Sequence, residues 1–342
     1  MDLTLGPEQE AVRDAIRNFL ADRMPMTHVR AVMADETGID DGVWREAVGL
    51  GWLALALPES AGGAGYGLPE AMVLFVELGR ALAPGPWLGS VLAAEALCGV
   101  GSLRDVHAKL LGGTQRVAVV DDPGDALGTG SALRGEARGI ADGGLAAGFL
   151  VLGGKSARYV SREGCDVTVE PSIDPTRRLA RVVFLGTSAE ALGGDVGVLR
   201  RTGTVLAAAE AVGVAERALE TSVAYAKVRE QFGKPIGSFQ AIKHRCADMA
   251  VRTEVARSAV AWASVAVRDG LPDAAFHVDV AKTLATSAAL TNATDNVQNH
   301  GGIGYTWEAD AHLYLKRARL LEHTFGTRTA HLDAIVAPWR AP

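Results

Sequence analysis

Cysteine is scarce: Cys98, Cys165 and Cys246 are the only three in 342 residues. Their odd number and wide separation exclude a disulfide framework, and the spacing fits no metal site. Reduced, buried thiols in a cytoplasmic protein are the expectation. Basic runs are missing too, and the net charge is −6. That argues against nucleic acid and anionic membrane as partners. No apolar run reaches the roughly 18 residues a membrane-spanning helix needs. The opening Met1-Asp2-Leu3-Thr4 is acidic and carries no apolar signal region. Aromatics make up only 6%, so the core must rely on small side chains, as closely packed helices do.

Apolar content, by contrast, is high. At 48% hydrophobic the chain can bury a large core, and its length suits two or three sub-domains. Up to residue 113 the pattern is helical. Val12, Ile16 and Phe19 form a stripe over Gln9–Phe19 that Leu20 continues. Leu68–Leu82 reads as a strong helix, with Pro69 early and Val73, Phe75, Val76 and Leu78 on its apolar side. Between them, Gly49–Glu59 reads as a helix end running into the glycine-rich stretch Gly62-Gly63-Ala64-Gly65-Tyr66-Gly67. That stretch is expected to be a mobile loop, or one that yields to a ligand at a pocket mouth. From 114 to 195, short apolar runs broken by Gly, Asp and Pro predict a small β domain. Its strands are expected at Val117–Val120, Phe149–Leu152, Val167–Glu170 and Leu179–Phe184. From 196 to 342 helical periodicity returns, with helices at about 197–231, 238–270, 273–300 and 307–322. The fold class is therefore mostly α with a central β domain: an N-terminal helical domain, a small β barrel or sandwich, and a C-terminal four-helix bundle.

One stretch carries more than connection requires. Val228-Arg229-Glu230-Gln231-Phe232-Gly233-Lys234-Pro235 joins two long helices. Pro235 stops the first, and Ser238 is the expected N-cap of the second. A plain turn needs only the Gly, the Pro and the cap. It does not need Arg229, Phe232, Phe239 and Gln240 crowded around it. Of the acidic and basic residues beyond, Arg252, Glu254 and Arg257 read as a solvated or ion-paired helix face. His244, His300 and His323 have no metal-ligand spacing and read as structural.

Several segments, in order, resemble the acyl-CoA dehydrogenase family over essentially the whole length. They are Leu50-Gly51-Trp52, Leu57-Pro58-Glu59, Gly62–Gly65 and Glu77-Leu78-Gly79-Arg80 near the start. Ile173-Asp174-Pro175-Thr176-Arg177-Arg178-Leu179 follows in the β domain, and Gln298-Asn299-His300-Gly301-Gly302-Ile303-Gly304-Tyr305 in the bundle. The resemblance implies an acyl-CoA substrate and FAD lying at a subunit interface of a two- or four-fold assembly. It also implies that Arg229, Phe232, Phe239, Gln240, Gln298, Gly301 and Gly302 hold the ADP half of the neighbouring subunit's FAD. Thr327, in the last family segment, joins that set. The chemistry agrees: Arg229 offers a planar fork to pyrophosphate oxygens, and glycine N–H groups can approach a ligand closely.

The family reaction needs a carboxylate to take the α-proton of the thioester. In His323-Thr324-Phe325-Gly326-Thr327 the position that matches the usual Glu is Phe325. The alternative position in the first bundle helix falls on Thr202-Gly203-Thr204, at Gly203. The flavin-ring loop of the β domain is reduced to Asp122-Pro123-Gly124, and the strand against the ring to Gly139-Ile140-Ala141. Residues that serve the neighbour's flavin are kept, and those that serve this chain's own are lost. That split resembles the base-lacking subunit of heteromeric α2β2 dehydrogenases of actinobacterial sterol side-chain degradation. Two alternatives stay open. One is a homomeric enzyme whose base has moved to Glu322, Glu308 or Asp310. The other is a non-redox scaffold that kept the fold.

Overall fold

The computed structural model describes residues 3–121, 127, 131–154 and 156–339. Helices come first: α1 (Pro7–Arg23), α2 (Met26–Ala34), α3 (Asp41–Gly49), α4 (Leu68–Arg80), α5 (Trp87–Leu97) and α6 (Arg104–Leu111). Strands follow: β1 (Val117–Asp121), β2 (Ala132–Ala141), β3 (Gly148–Gly153), β4 (Ser156–Ser161), β5 (Cys165–Glu170) and β6 (Leu179–Leu192). Then come α7 (Val196–Val228), the two-residue strands β7 (Glu230–Gln231) and β8 (Lys234–Pro235), α8 (Gln240–Arg268), α9 (Ala274–His300), α10 (Ala311–Leu321) and α11 (Arg328–Val336). The order of helices, strands and helices is the expected one.

Contacts divide the chain into two compact units. One joins Thr27–Ala71 to Pro84–Gly203, and the other joins Met1–Met26 and Met72–Ala83 to Thr204–Pro342. The first unit holds the sheet, in the order β1-β3-β4-β6-β2 with β5 also paired to β6. Among the described residues only β1 and β3 run parallel. The long β6 is shared: Leu179–Ser188 pairs with β2, and Ala189–Leu192 pairs with β4. Phe149 and Phe184 meet edge to face at 6.0 Å within the sheet's apolar core. The Asp174–Arg178 segment is structural. Asp174 Oδ1 accepts from the N–H and hydroxyl of Thr176, Arg177 reaches Asp142 at 2.8 Å, and Arg178 donates to the carbonyls of Met33 and Asp35.

The glycine-rich loop differs from expectation. Ala64, Gly65 and Tyr66 donate their N–H groups to the carbonyls of Ala54, Leu57 and Leu55. At Gly63 an added Cβ would lie 2.1 Å from the Leu57 carbonyl oxygen. The loop is thus pinned against its own approach segment rather than mobile. The cysteines depart as well: all three are free thiols, but half-buried.

In the second unit, α4 and α7 cross at backbone contact. A Cβ on Gly79 would sit 2.0 Å from the Glu210 carbonyl oxygen, and one on Gly213 would sit 1.9 Å from that of Val76. Two missing side chains therefore set how closely these helices approach.

Candidate functional site

Helix α7 ends at Val228, and the Arg229 N–H closes onto the Tyr225 carbonyl at 2.9 Å. Glu230–Gln231 then pairs with Lys234–Pro235 as a minimal hairpin. Its tip is Phe232 (φ 54°) and Gly233 (φ 75°), the two left-handed residues a tight twisted hairpin requires. A bulky residue in that conformation costs on the order of 1–2 kcal/mol. Phe232 is nonetheless 92% exposed, its ring perpendicular to that of Phe239 at 6.1 Å. Lys234 Nζ lies 4.6 Å from the centre of the Phe239 ring. Strain spent on an exposed aromatic marks a surface kept for something outside the fold. Arg229 is exposed and makes no ion pair among the described residues.

Ser238 does not cap α8. Ile236–Ser238 winds into a 3-10 turn, which puts Phe239 at the cap position, and no side chain caps the helix. The first N–H groups of this 29-residue helix are thus left without a side-chain acceptor. Positive helix-end charge and uncapped donors beside Arg229 suit an anion such as a pyrophosphate.

The second station is the end of α9. Gly301 stands at φ 63°, ψ −143°, a region open essentially to glycine alone. At Gly304 a Cβ would lie 2.6 Å from the Val297 carbonyl oxygen. Gly302 differs: it has no positive φ, and an added Cβ would meet nothing within 4 Å. The chain itself does not require glycine there. Gln298 is exposed one turn earlier.

The two stations come together. The Tyr225 ring stacks on His300 at 4.2 Å and 22°. Asn299 Nδ2 donates to Ser222 Oγ at 3.3 Å, and Arg245 of α8 donates to Asn299 Oδ1 at 2.8 Å. Arg229, Phe232, Phe239 and Gln240 thus share one end of the bundle with Gln298, Gly301 and Gly302. Exposed Arg229, Gln240 and Gln298 supply donors of the kind a pyrophosphate and an adenosine take, Phe232 supplies an exposed aromatic face, and Gly301 and Gly302 leave the backbone open.

Thr327 lies on another segment, as the cap of α11; its hydroxyl accepts from the Ala330 N–H at 3.2 Å. Just before it, Phe325 (φ 57°) and Gly326 (φ 98°) are consecutive left-handed residues. Phe325 is 6% exposed. Its carbonyl is 2.9 Å from His331 Nε2, and His331 Nδ1 is 2.7 Å from Asp279. Glu322 is held by Arg319 at 2.9 Å. Glu308 is exposed, and Asp310 stands just before α10. Gly203 lies inside α7 between the buried Thr202 and Thr204. Gly139 (φ 67°) is exposed at an irregularity of β2. Asp122-Pro123-Gly124 lies outside the described residues.

Sequence reasoning missed the half-buried ion-pair network of the second unit. Arg17 grips Glu77 with two bonds of 2.7 and 2.9 Å. Arg80 joins Glu77, Glu216 and Glu220, and Arg257 reaches Glu216 at 3.0 Å. Arg257 is thus ion-paired as expected, and Arg252 pairs with Asp295. Burial pushes the Glu216 carboxyl above its ordinary range, against the pull of Arg257 and Arg80. Glu220 feels burial too, but Arg80 and Arg217 hold it below its ordinary value. A cavity of about 500 Å³ opens beside the network. Separately, Arg317, wholly buried, bonds Glu210 at 2.6 Å.

Residues 6–107 match the family model described as acyl-CoA dehydrogenase, N-terminal domain, and residues 202–338 match the C-terminal domain of the same family. Acyl-CoA dehydrogenase IpdE2 of Mycobacterium tuberculosis (strain ATCC 25618 / H37Rv) is 40% identical over 321 residues, 92% of either chain. Among solved structures, a chain of the ChsE4–ChsE5 complex from Mycobacterium tuberculosis aligns with a TM-score of 0.90 at 28% identity, covering 100% of both chains. A chain of a Tcur3481–Tcur3483 steroid ACAD variant aligns at 0.88 and 29%, covering 99% of this chain and 100% of that one.

Proposed function

The chain belongs to the acyl-CoA dehydrogenase family of FAD-dependent oxidoreductases, and from that premise we propose that it is the base-lacking subunit of a heteromeric enzyme. Its partner, a second acyl-CoA dehydrogenase-like chain, carries the catalytic Glu. This chain completes the FAD site with Arg229, Phe232, Phe239, Gln240, Gln298, Gly301, Gly302 and Thr327. The observation that carries the reading is Phe325. It stands where the family's usual base is expected, buried on left-handed backbone that is tied down by His331. An aromatic ring cannot accept the α-proton, and no carboxylate replaces it at Gly203. Glu322, the nearest substitute, is engaged by Arg319.

FAD, when bound, supplies the hydride acceptor for α,β-dehydrogenation. The part left to this chain is binding. Arg229 and the uncapped start of α8 neutralise the pyrophosphate. Gly301 and Gly302 let the backbone come close, and Phe232 offers an aromatic face. The substrate class is a bulky acyl-CoA, such as a steroid side-chain thioester. Similarity to a steroid ACAD and to a two-protein complex supports this. A cytoplasmic location belongs to the same reading.

Expressing the chain alone and then with a dehydrogenase chain that keeps its Glu tests the proposal, with flavin measured per polypeptide. Flavin and turnover are expected only in the mixed assembly. A full flavin complement with turnover from this chain alone would overturn it.

A further inference from the structure

Arg229 and the Gly301–Gly302 backbone belong to different helices, so a dinucleotide that touches both reads the distance between them. Near the helix ends a pair of rings bridges the two helices. Tyr225 lies one turn before Arg229, whose N–H it accepts through its carbonyl at 2.9 Å. His300 immediately precedes Gly301. The rings lie almost parallel, 4.2 Å apart. His300 is fixed in turn by its Nδ1, 2.8 Å from the Asn296 carbonyl of its own helix. Deeper in the bundle the helices are already joined without the rings. Ser222 Oγ donates to Asn296 Oδ1 at 2.9 Å, and Asn299 Nδ2 donates to Ser222 Oγ. The Tyr225 hydroxyl has no hydrogen-bond partner among the described residues, so the ring alone makes this contact.

We infer that Tyr225 and His300 are a positioning pair, whose stack holds the Arg229 turn and the Gly301–Gly302 backbone at the spacing that the ADP half of FAD requires. This rests on the proposed cofactor role of the two stations. Tyr225 and His300 touch each other and not the ligand. Losing either ring lets both helix ends drift, and the entropy of ordering them again is then charged to ligand binding.

The test uses the co-expressed assembly stripped of flavin, with FAD and then ADP titrated as probes. Tyr225→Phe keeps the stack and is expected to bind both like wild type. Tyr225→Leu and His300→Leu are each expected to weaken FAD and ADP by the same factor, roughly threefold to tenfold. The double variant loses no more than either single one, because one stack is removed in all three. Equal losses for Tyr225→Phe and Tyr225→Leu would overturn the inference. So would Leu variants that unfold earlier yet bind FAD and ADP unchanged. Arg229→Ala separates the two levels. If it weakens binding while the Leu variants do not, only the ring pair is wrong; if it too has no effect, the cofactor reading of the stations fails with it.

Discussion

Replacing Arg229 with Ala separates folding from cofactor binding. The side chain is exposed and engages no acidic group among the described residues. Its removal breaks nothing the fold depends on, and a surface change of this kind falls within about 0.5 kcal/mol in stability. Toward a pyrophosphate the same guanidinium makes charge-assisted hydrogen bonds, worth about 1.5–3 kcal/mol. That converts to a roughly 10- to 150-fold loss of FAD affinity. Arg229→Lys keeps the charge but loses the planar fork, so it should fall between wild type and Ala. Fluorescence titration of FAD into the stripped assembly gives the affinity, and thermal unfolding of the same apoprotein gives the stability. Raising salt should narrow the gap between wild type and Ala, since screening weakens only the charged contact. An Arg229→Ala assembly that binds FAD as tightly as wild type, or that loses affinity only because it unfolds, would refute the reasoning.

Gly213→Ala forces a methyl to within 1.9 Å of the Val76 carbonyl oxygen and 2.8 Å of the Arg80 nitrogen. Backbone must move on both sides, so urea denaturation should show a loss of about 1–3 kcal/mol or more. Arg317→Met removes the guanidinium bonded to the buried Glu210 carboxylate and should cost about 3–5 kcal/mol; adding Glu210→Gln should recover most of that, as read by the double-mutant cycle. The Tyr314 phenol is pushed up to about 12 by burial. The folded chain therefore keeps a proton that the unfolded chain sheds near pH 10, so stability falls as pH rises from about 10 to 12. At about 1.4 kcal/mol per pH unit that loss is on the order of 2–3 kcal/mol. Tyr314→Phe should give up about 1 kcal/mol at neutral pH, from its bond to the Arg80 carbonyl. Its stability should then show a shallower alkaline decline.

The long helices and four of the strands were legible from the length and bounds of their apolar stretches: long Ala-rich runs for the helices, short runs closed by Gly, Asp or Pro for the strands. β2 and β4 were not. In Ala132–Ala141 the outward face carries Arg134, Glu136 and Arg138, and Gly139 interrupts the alternation where the register shifts between Ala137 and Ile140. Arg158 supplies a charge in the middle of Ser156–Ser161. The ion-pair network was invisible for a different reason. Arg17 meets Glu77 across 60 positions, and Arg80 meets Glu216 across 136, separations at which no local pattern survives. The Ser238 cap failed by one residue, because the connection tightened into a 3-10 turn before α8 began. Arg229, Phe232 and the paired glycines could be picked out as residues a turn has no need of. At the end of the bundle where they meet, the contacts between helices come from Tyr225, Asn299 and Arg245, and no local pattern marks those contacts.

The hairpin at Phe232 also bears on how such a protein is made. Val228, Phe232, Tyr305 and Trp307 are 76, 92, 73 and 60% exposed, apolar side chains that a free subunit carries into solution. Until it is covered, that surface favours self-association and engagement by chaperones. If assembly follows the proposed course, surplus copies would be the ones lost. The steady amount of this polypeptide in a cell would then follow the synthesis of its companion rather than its own.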